Sequence, residues 1–408
     1  MLAGGSVKLR KLMAGSLSRR RFGEGHTLPS LFLIAGLLFV VISAAVGQTQ
    51  SAELLRRAQR LESQGHYEEA VHIYEDLVRR HPGSPQILND LGQIYAHMGK
   101  YPEAIAAYRK ALKFSPKSVA LLANLGLAYF KSGDFRKAIA PFTQAAQADP
   151  HNSRIRTLLA ISSYGAGDYA GASSHFEELV RAEPANTTLQ YLLAQSYLWS
   201  GRYEKVIQTF GTLLRHQPDS AAAHMLMGEA YDGLDRTDQA IEEFRAAVSA
   251  APQYPSVHFG LGYLYWKKRQ FEKAEEEFRQ EIKVGGSLAQ AKAYLGDITM
   301  RREQLDQALP LLQESLRLDP NVRIAHFDLG IIYTEQQRYE QAVAALKEAV
   351  SLDPEQTDAH YRLAAAYRAM GREGEAKAEL AKVEQFHAKK REDLLHKISG
   401  APPAPRLE

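Results

Sequence analysis

The sequence predicts an all-helical protein built as an α-solenoid, in which ten helical hairpins stack in line. Three features of the 408-residue chain support this fold: regularly spaced prolines, columns of small residues with the same period, and two helical stripes of apolar residues in each period. One hairpin cannot bury both of its stripes, so neighbouring hairpins must stack. The prolines, at intervals of 34 or 68 residues, are Pro82, Pro116, Pro150, Pro184, Pro218, Pro252, Pro320 and Pro354.

The composition excludes several classes of protein. The chain has no cysteine, which rules out a disulfide scaffold, thiolate metal sites and a cysteine nucleophile. Residues 1–50 carry six basic side chains and one acidic side chain, whereas the whole chain has a net charge of only +3. The remaining residues, 51–408, are therefore slightly acidic. Such a body lacks the clustered basic face of a nucleic-acid-binding protein, so no nucleic-acid partner is expected.

The chain begins with a basic, Gly- and Ser-rich leader over residues 1–30, for which no regular structure is expected. An uncharged hydrophobic segment follows over residues 31–47, and it is predicted to be a signal-anchor or signal-peptide helix. Positive charge precedes this segment and none directly follows it. This asymmetry predicts a cytoplasmic N-terminus and places the rest of the chain outside the cytoplasmic membrane.

Two fates fit this hydrophobic segment. The long basic leader favours its retention as a single-pass anchor, with the repeats on the outer, bacterial periplasmic side of the membrane. The small residues Ala45 and Gly47 would alternatively allow cleavage after Gly47 and a periplasmic or secreted chain beginning at Gln48. Residues 18–22 (SRRRF) also resemble the twin-arginine motif, so both export routes stay open.

Ten units of 34 residues follow over residues 51–390, without insertion or deletion. Apolar positions 4, 7, 8 and 11 of each unit predict a first helix, and positions 17, 20, 24 and 27 predict a second. Position 8 is always Gly or Ala, position 20 is Ala except at Val206, and position 24 is always large. The small residues are predicted to let the two helices approach closely, while the large residue fills the gap between units.

The helix ends are marked as regularly as the helix faces. Position 15 is Gly in six units, where it supplies the left-handed residue that ends the first helix. Proline at position 32 stops the second helix, and a Ser or Asn two residues later caps the next first helix. The glycines are Gly65, Gly99, Gly133, Gly167, Gly201 and Gly371, and the capping residues are Ser84, Ser118, Asn152, Asn186 and Ser220.

The columns resemble the tetratricopeptide repeat, with Leu-Gly at positions 7 and 8, Tyr at 11, Gly at 15, an aromatic residue at 17, Ala at 20, an aromatic residue at 24 and Pro at 32. The resemblance covers residues 51–390. It implies a right-handed superhelix whose first helices line a concave groove, and a role as a protein-binding scaffold. In this family, positions 2, 5, 9, 12 and 13 of the first helix point into the groove.

Mapping these positions gives the candidate partner-binding residues Tyr191, Gln195, Trp199, Glu229, Phe259, Tyr263, Trp266 and Phe327. The same positions also hold Phe130, Tyr164, Asp232, Lys267 and Asp297. Large aromatic side chains along a concave wall are typical of a peptide-binding surface. The alternative is that the aromatic residues at positions 5 and 12 merely pack between neighbouring first helices. No three consecutive units match the family's carboxylate clamp for chaperone C-termini.

The sequence predicts no catalytic residue, metal site or cofactor, and no small-molecule substrate. Four histidines, His224, His258, His326 and His360, all occupy position 4 of their units. Equivalent positions of adjacent hairpins lie about 10 Å apart, whereas the ligands of one zinc ion must converge within about 2.1 Å of it. The chain also lacks the phosphate-binding and nucleophile motifs of common enzymes.

Two departures from the repeat carry further expectations. Unit seven places Glu281 at packing position 27 and ends in Gly285-Gly286, so the joint between units seven and eight is expected to be the softest. The last second helix should run on through residues 389–392 as a polar cap. Residues 391–408 then comprise the end of this helix and a proline-rich disordered tail.

The leading functional hypothesis is therefore a membrane-attached, non-enzymatic scaffold that binds a protein or peptide segment in its groove. One alternative is a structural accessory subunit of an envelope assembly, such as polysaccharide export or pilus and secretion machinery. Another is a subunit that adds specificity to a separately encoded enzyme.

Overall fold

The computed structural model describes residues 49–216 and 219–399. The basic leader, the hydrophobic segment over residues 31–47, the cleavage position after Gly47 and the proline-rich tail lie outside the described residues. Among the residues that are described, no helix has both the length and the apolar character needed to cross a bilayer.

Twenty helices and no strands are found in the described residues, and this confirms the predicted repeat of helical hairpins. Odd-numbered helices are the first helices of their units, and every second helix begins at unit position 17. The helices are α1 (residues 49–63), α2 (Tyr67–Arg80), α3 (Pro85–His97), α4 (Tyr101–Leu112), α5 (Val119–Lys131), α6 (Phe135–Ala148), α7 (Ser153–Gly165), α8 (Tyr169–Ala182), α9 (Thr187–Trp199), α10 (Tyr203–His216), α11 (Ala221–Gly233), α12 (Thr237–Ala250), α13 (Val257–Lys267), α14 (Phe271–Val284), α15 (Leu288–Arg301), α16 (Leu305–Leu318), α17 (Arg323–Glu335), α18 (Tyr339–Leu352), α19 (Thr357–Ala369) and α20 (Glu373–Ser399).

The chain also divides into two larger compact units, each made of several repeats, one ending at Ile155 and the other beginning at Arg156. In the first, the helices enclose apolar clusters centred on Tyr74 and Tyr108. In the second, successive hairpins enclose a series of clusters, including those around Phe210, Phe278 and Leu312. The candidate site residues from Tyr191 to Phe327 all belong to the second unit.

The small and large columns pack as a matched pair. Every residue at position 20 is fully buried, from Ala70 to Ala376. A Cβ atom added to Gly126 would lie 2.7 Å from the Phe142 ring of the same unit, which is too close for ordinary contact. The expectation that the large residue only fills the gap between units was therefore incomplete. Phe244 shows both contacts, because its ring rests on Gly228 of its own unit and on Gly260 of the next.

The five predicted caps are confirmed. Each side-chain oxygen accepts a hydrogen bond from the backbone N–H three residues later, which satisfies a donor that the helix itself leaves unpaired. The bonds run from Ile87 to Ser84 (3.4 Å), from Leu121 to Ser118 (3.4 Å), from Ile155 to Asn152 (3.2 Å), from Leu189 to Asn186 (3.2 Å) and from Ala223 to Ser220 (3.4 Å).

Position 15 keeps a left-handed backbone whether or not it holds glycine. The six predicted glycines have φ between +71° and +81°. In units six to nine the same position holds Asp235, Arg269, Glu303 and Gln337, with φ between +56° and +62°. The hairpin turn thus requires this conformation, and side chains adopt it there at some cost in backbone strain.

Replacing Gln337 with glycine is therefore expected to stabilise unit nine by about 0.5–1 kcal/mol. The gain from relieving the left-handed strain exceeds the entropy that glycine loses on folding. The midpoint of urea unfolding measures the change. The reverse substitution in unit ten, Gly371→Gln, should lower the midpoint, and a lower midpoint for Gln337→Gly would contradict the account.

One of the two reasons for expecting a soft joint between units seven and eight, an unsatisfied buried charge at Glu281, was wrong. The Glu281 side chain is fully buried, but its carboxylate accepts three backbone hydrogen bonds. Oε1 accepts from the N–H of Ser256 at 3.0 Å and of Ser287 at 2.6 Å, and Oε2 accepts from the N–H of Phe259 at 3.1 Å. The charge therefore caps the N-termini of both α13 and α15, whose own N-cap serines make no capping bond.

The final helix extends as expected. Helix α20 has 27 residues and continues to Ser399, which confirms a helix through residues 389–392. Its residues from Lys389 to Glu392 are exposed, as suits the end of a helical stack.

Candidate functional site

The candidate site lies on the surface formed by the first helices. In the second compact unit, α9, α11, α13, α15 and α17 each contact the next first helix along the chain. Side chains at positions 5, 9 and 12 of neighbouring helices therefore share one surface, which we call the first-helix face. The sequence-predicted site residues lie on this face or at its edge.

A cavity of about 280 Å³ opens between α11 and α13, and we call it the α11/α13 pocket. Three of the predicted site residues, Glu229, Phe259 and Tyr263, line it together. The complete lining is Met225, Glu229, Asp232, Phe244, Ser256, Phe259, Gly260, Tyr263 and Leu264. The structure thus brings residues from two different units into one concave site.

The two carboxylates of the pocket differ in their surroundings. Asp232 accepts a hydrogen bond from Lys267 Nζ at 2.7 Å, and this bond raises the pKa of Lys267. Glu229 makes no ion pair with any described residue. Its side chain is solvent-exposed at the pocket mouth. The apolar groups crowded around its carboxylate remove water from it, and this desolvation raises the pKa of Glu229.

A cluster of aromatic rings adjoins the pocket and is centred on Tyr294. The ring centroid of Tyr294 lies 5.8 Å from those of Phe259 and Tyr263, and 5.0 Å from that of Trp266. Tyr263 and Trp266 also stack at 6.1 Å with an angle of 22° between their planes. Burial among these rings raises the pKa of the Tyr294 hydroxyl well above its usual value.

Trp266 is held in place by a buried carboxylate. Its indole N–H donates to Asp297 Oδ2 at 2.6 Å, and Arg301 Nε donates to the same oxygen at 2.7 Å. Asp297 is almost completely buried, so this predicted groove residue is unexposed and supports the aromatic cluster. The half-buried Trp266 therefore has a structural role as well as a place on the first-helix face.

The other predicted residues do not line the α11/α13 pocket. Tyr191 is half-buried, its hydroxyl bonds that of Ser220, and its ring lies 5.0 Å from Phe210. Gln195 is half-buried on α9. Trp199 is 61% exposed and stacks on Tyr169 at 6.1 Å. Phe327 is half-buried, with the Arg323 guanidinium 5.6 Å from its ring centre.

Phe130 and Tyr164 pack within their own hairpins. Each makes an edge-to-face contact at 5.3 Å with the first residue of the second helix, Phe135 or Tyr169. The alternative to peptide binding placed such residues between neighbouring first helices. The structure shows packing across the turn of the hairpin, and Tyr164 also interacts with Trp199 of the next first helix, as that alternative expects.

Sequence reasoning missed several residues of the site, among them Met225 of the pocket and Tyr294 of the ring cluster. Met225 occupies position 5, which belongs to the groove positions, but an aliphatic side chain there gave no distinctive signal. Tyr294 occupies position 6, outside the positions that the resemblance assigns to the groove. An aromatic residue where the other units have Leu, Gly, Asp, Asn or Arg was the available signal for it.

The four histidines at position 4 make local structural contacts. In His258 the Nδ1 atom lies 2.6 Å from the Glu277 carboxylate, and Nε2 lies 3.0 Å from the carbonyl oxygen of Pro252. His360 repeats this arrangement, His224 shares the glutamate contact and His326 shares the proline contact. In the described part of the chain, no group of three or more acidic or histidine side chains is arranged to hold a metal ion.

Comparison with solved structures finds similar helical proteins of low sequence identity. The APC/C hetero-tetramer Cut9–Hcn1 has 13% identity over 82% of this chain and 87% of that chain, with a TM-score of 0.45. Yeast Tom70 has 14% identity over 86% and 97% of the two chains, with a TM-score of 0.40. YrrB, a TPR protein with an unusual peptide-binding site, has 21% identity over 44% and 97%, with a TM-score of 0.34.

A search of curated proteins finds no match. Family models described as tetratricopeptide repeat or TPR repeat, in contrast, match most of the chain. The matched segments are 55–119, 96–162, 163–230, 221–254, 255–283, 299–347 and 330–371. These matches agree with the 34-residue period and with the twenty helices of the structure. The chain therefore belongs to the tetratricopeptide repeat family.

Proposed function

We propose that this protein is a non-enzymatic scaffold that binds a segment of a partner protein on the first-helix face of units five to nine. The α11/α13 pocket carries the proposal, because it joins residues of two units into a concave site with apolar walls and a carboxylate at its mouth. Ligand sites in proteins combine these features. The exposed Trp199 supplies a second contact area on the same face.

The proposed location is the outer side of the cytoplasmic membrane. The basic leader and the hydrophobic segment over residues 31–47 support a single-pass anchor with the repeats on the periplasmic side. Cleavage after Gly47 is the alternative. Membrane fractionation and N-terminal sequencing distinguish the two, because a mature chain that begins at Gln48 would exclude the anchor.

The groove is tested by filling the pocket. We expect Met225→Arg to reduce partner binding at least about tenfold, because the new side chain occupies the apolar wall with a charge. The matched control is Glu242→Arg, which adds an arginine at an exposed position of α12 in the same unit. Binding is measured by affinity capture with the full-length chain, and circular dichroism verifies that both variants keep their helices.

Equal recovery of the same partners by wild type, Met225→Arg and Glu242→Arg would overturn the groove proposal. It would favour the structural alternative, in which the protein serves an envelope assembly through other surfaces. Trp266→Ala is a poor test of the groove, because it also removes the hydrogen bond that the buried Asp297 accepts.

A further inference from the structure

Glu229 is the unbalanced charge of the α11/α13 pocket. The other carboxylate of the pocket, Asp232, is paired with Lys267, which also lies 3.7 Å from the exposed Asp235. No described cation lies within ion-pair distance of Glu229, which opens to the pocket beside Met225 and the rings of Phe259 and Tyr263. Glu229, Asp232 and Lys267 together therefore keep one negative charge.

The surroundings of this carboxylate favour a cation supplied by a ligand. Glu229 is exposed at the pocket mouth, but the apolar side chains beside it displace part of its water, so an opposite charge placed there interacts somewhat more strongly than it would at an open surface. The same loss of water around the carboxylate raises the pKa of Glu229. The neighbouring aromatic rings add attraction for an ammonium or guanidinium group.

The size and the walls of the pocket narrow the class of cation. Pockets for drug-sized ligands measure about 300–1,000 Å³, so a cavity of about 280 Å³ suits a single long side chain rather than a larger molecule. Lysine and arginine combine an apolar stem with a charged end. This matches a pocket whose wall is formed by Met225, Phe259 and Tyr263 and whose acid is Glu229.

Resting on the function proposed above, we infer that the bound partner segment inserts a lysine or arginine side chain into the α11/α13 pocket. The cation pairs with the Glu229 carboxylate, and the aliphatic stem lies against Met225 and the two rings. The recognised partner is thus a polypeptide segment with a basic residue at this point.

A displayed library of random dodecapeptides tests the inference on the full-length protein. Selections against wild type are expected to enrich Lys and Arg relative to the starting library, and selections against Glu229→Gln to lose this enrichment. The exposed Glu276 of α14 provides the matched control, since Glu276→Gln removes one negative charge away from the pocket. Its selections should resemble those of wild type.

A double-mutant cycle then assigns the contact. For the strongest selected peptide, replacing its basic residue with norleucine should weaken binding to wild type about tenfold, and Glu229→Gln should weaken the unmodified peptide similarly. The two changes together should cost little more than either one alone. Binding is measured by isothermal titration calorimetry on the full-length chain, with Trp199 and Trp266 left unchanged.

The outcomes separate this inference from the function on which it rests. Some peptides could bind wild type and Glu229→Gln equally well but lose binding in Met225→Arg. This result would contradict the proposal that a basic side chain pairs with Glu229, and it would still support partner binding in the groove. Additive losses in the cycle would also overturn the contact with Glu229. If no selected peptide is sensitive to Met225→Arg, both proposals fail.

Discussion

Replacing Glu281 with alanine is expected to destabilise the protein by about 3–5 kcal/mol, although a charge is removed from a fully buried position. The side chain caps two helices at once, and its loss leaves the backbone N–H groups of Ser256, Phe259 and Ser287 without their acceptor. Each buried unpaired donor costs about 1–3 kcal/mol, and water that enters the site recovers part of this. The same charge is also lost from the positive ends of α13 and α15.

The measurement combines urea unfolding with hydrogen exchange. The unfolding midpoint should fall, and exchange should accelerate at the amides of Phe259 and Ser287, because contacts in a repeat protein are mainly between neighbours. Glu281→Gln, which keeps a single acceptor oxygen, should lie between wild type and alanine. The exposed Glu276 on the same helix is the control, and Glu276→Ala should change little.

Two results would contradict this account of the joint between units seven and eight. One is a change of less than about 0.5 kcal/mol for Glu281→Ala, the range of ordinary surface substitutions. The other is faster exchange in wild type at this joint than at the joint between units two and three, as expected if this joint is the softest.

Replacing Gly126 with leucine is expected to destabilise unit three by about 1–3 kcal/mol. Even a Cβ atom at this position would lie 2.7 Å from the Phe142 ring, and a full leucine side chain has no space between α5 and α6. The helices must separate or Phe142 must leave its position, and both changes expose apolar surface. Urea unfolding of the full chain measures the loss.

Alanine and a size-compensating change provide the controls. Units four and five hold Ala160 and Ala194 at the equivalent position, so Gly126→Ala should cost less than Gly126→Leu. Adding Phe142→Ala to Gly126→Leu should recover part of the loss, because it opens volume beside the leucine. A leucine variant as stable as the alanine variant would contradict the close approach of these helices.

The features that were predictable from the sequence are those governed by neighbours along the chain. Ser84 and Asn186 cap helices through an amide three residues away, and Gly133 turns left-handed within its own hairpin. These local features could be predicted reliably because the same residue types recur at the same positions in ten units. Even the four turns without glycine kept the left-handed conformation, because the rest of the hairpin demands it.

The assembly of the candidate site was only partly predictable. The period correctly placed Glu229, Phe259 and Tyr263 on first helices whose side chains share a face. It did not reveal that Tyr294 joins their ring cluster, or that Asp297 accepts a hydrogen bond from Trp266 across 31 residues. Those contacts depend on side-chain rotamers and on the angle between neighbouring hairpins.

Glu281 illustrates the physical difference most clearly. Judged only by its position in the repeat, Glu281 was a charged residue at an apolar packing position, because position 27 belongs to the apolar stripe of the second helix. Its partners lie 25 and 22 residues before it and six residues after it, at the ends of two other helices. Helix periods and caps follow from steric and hydrogen-bonding rules within a few residues. Whether a buried polar group is satisfied depends on donors that only the packed helices bring within 3 Å.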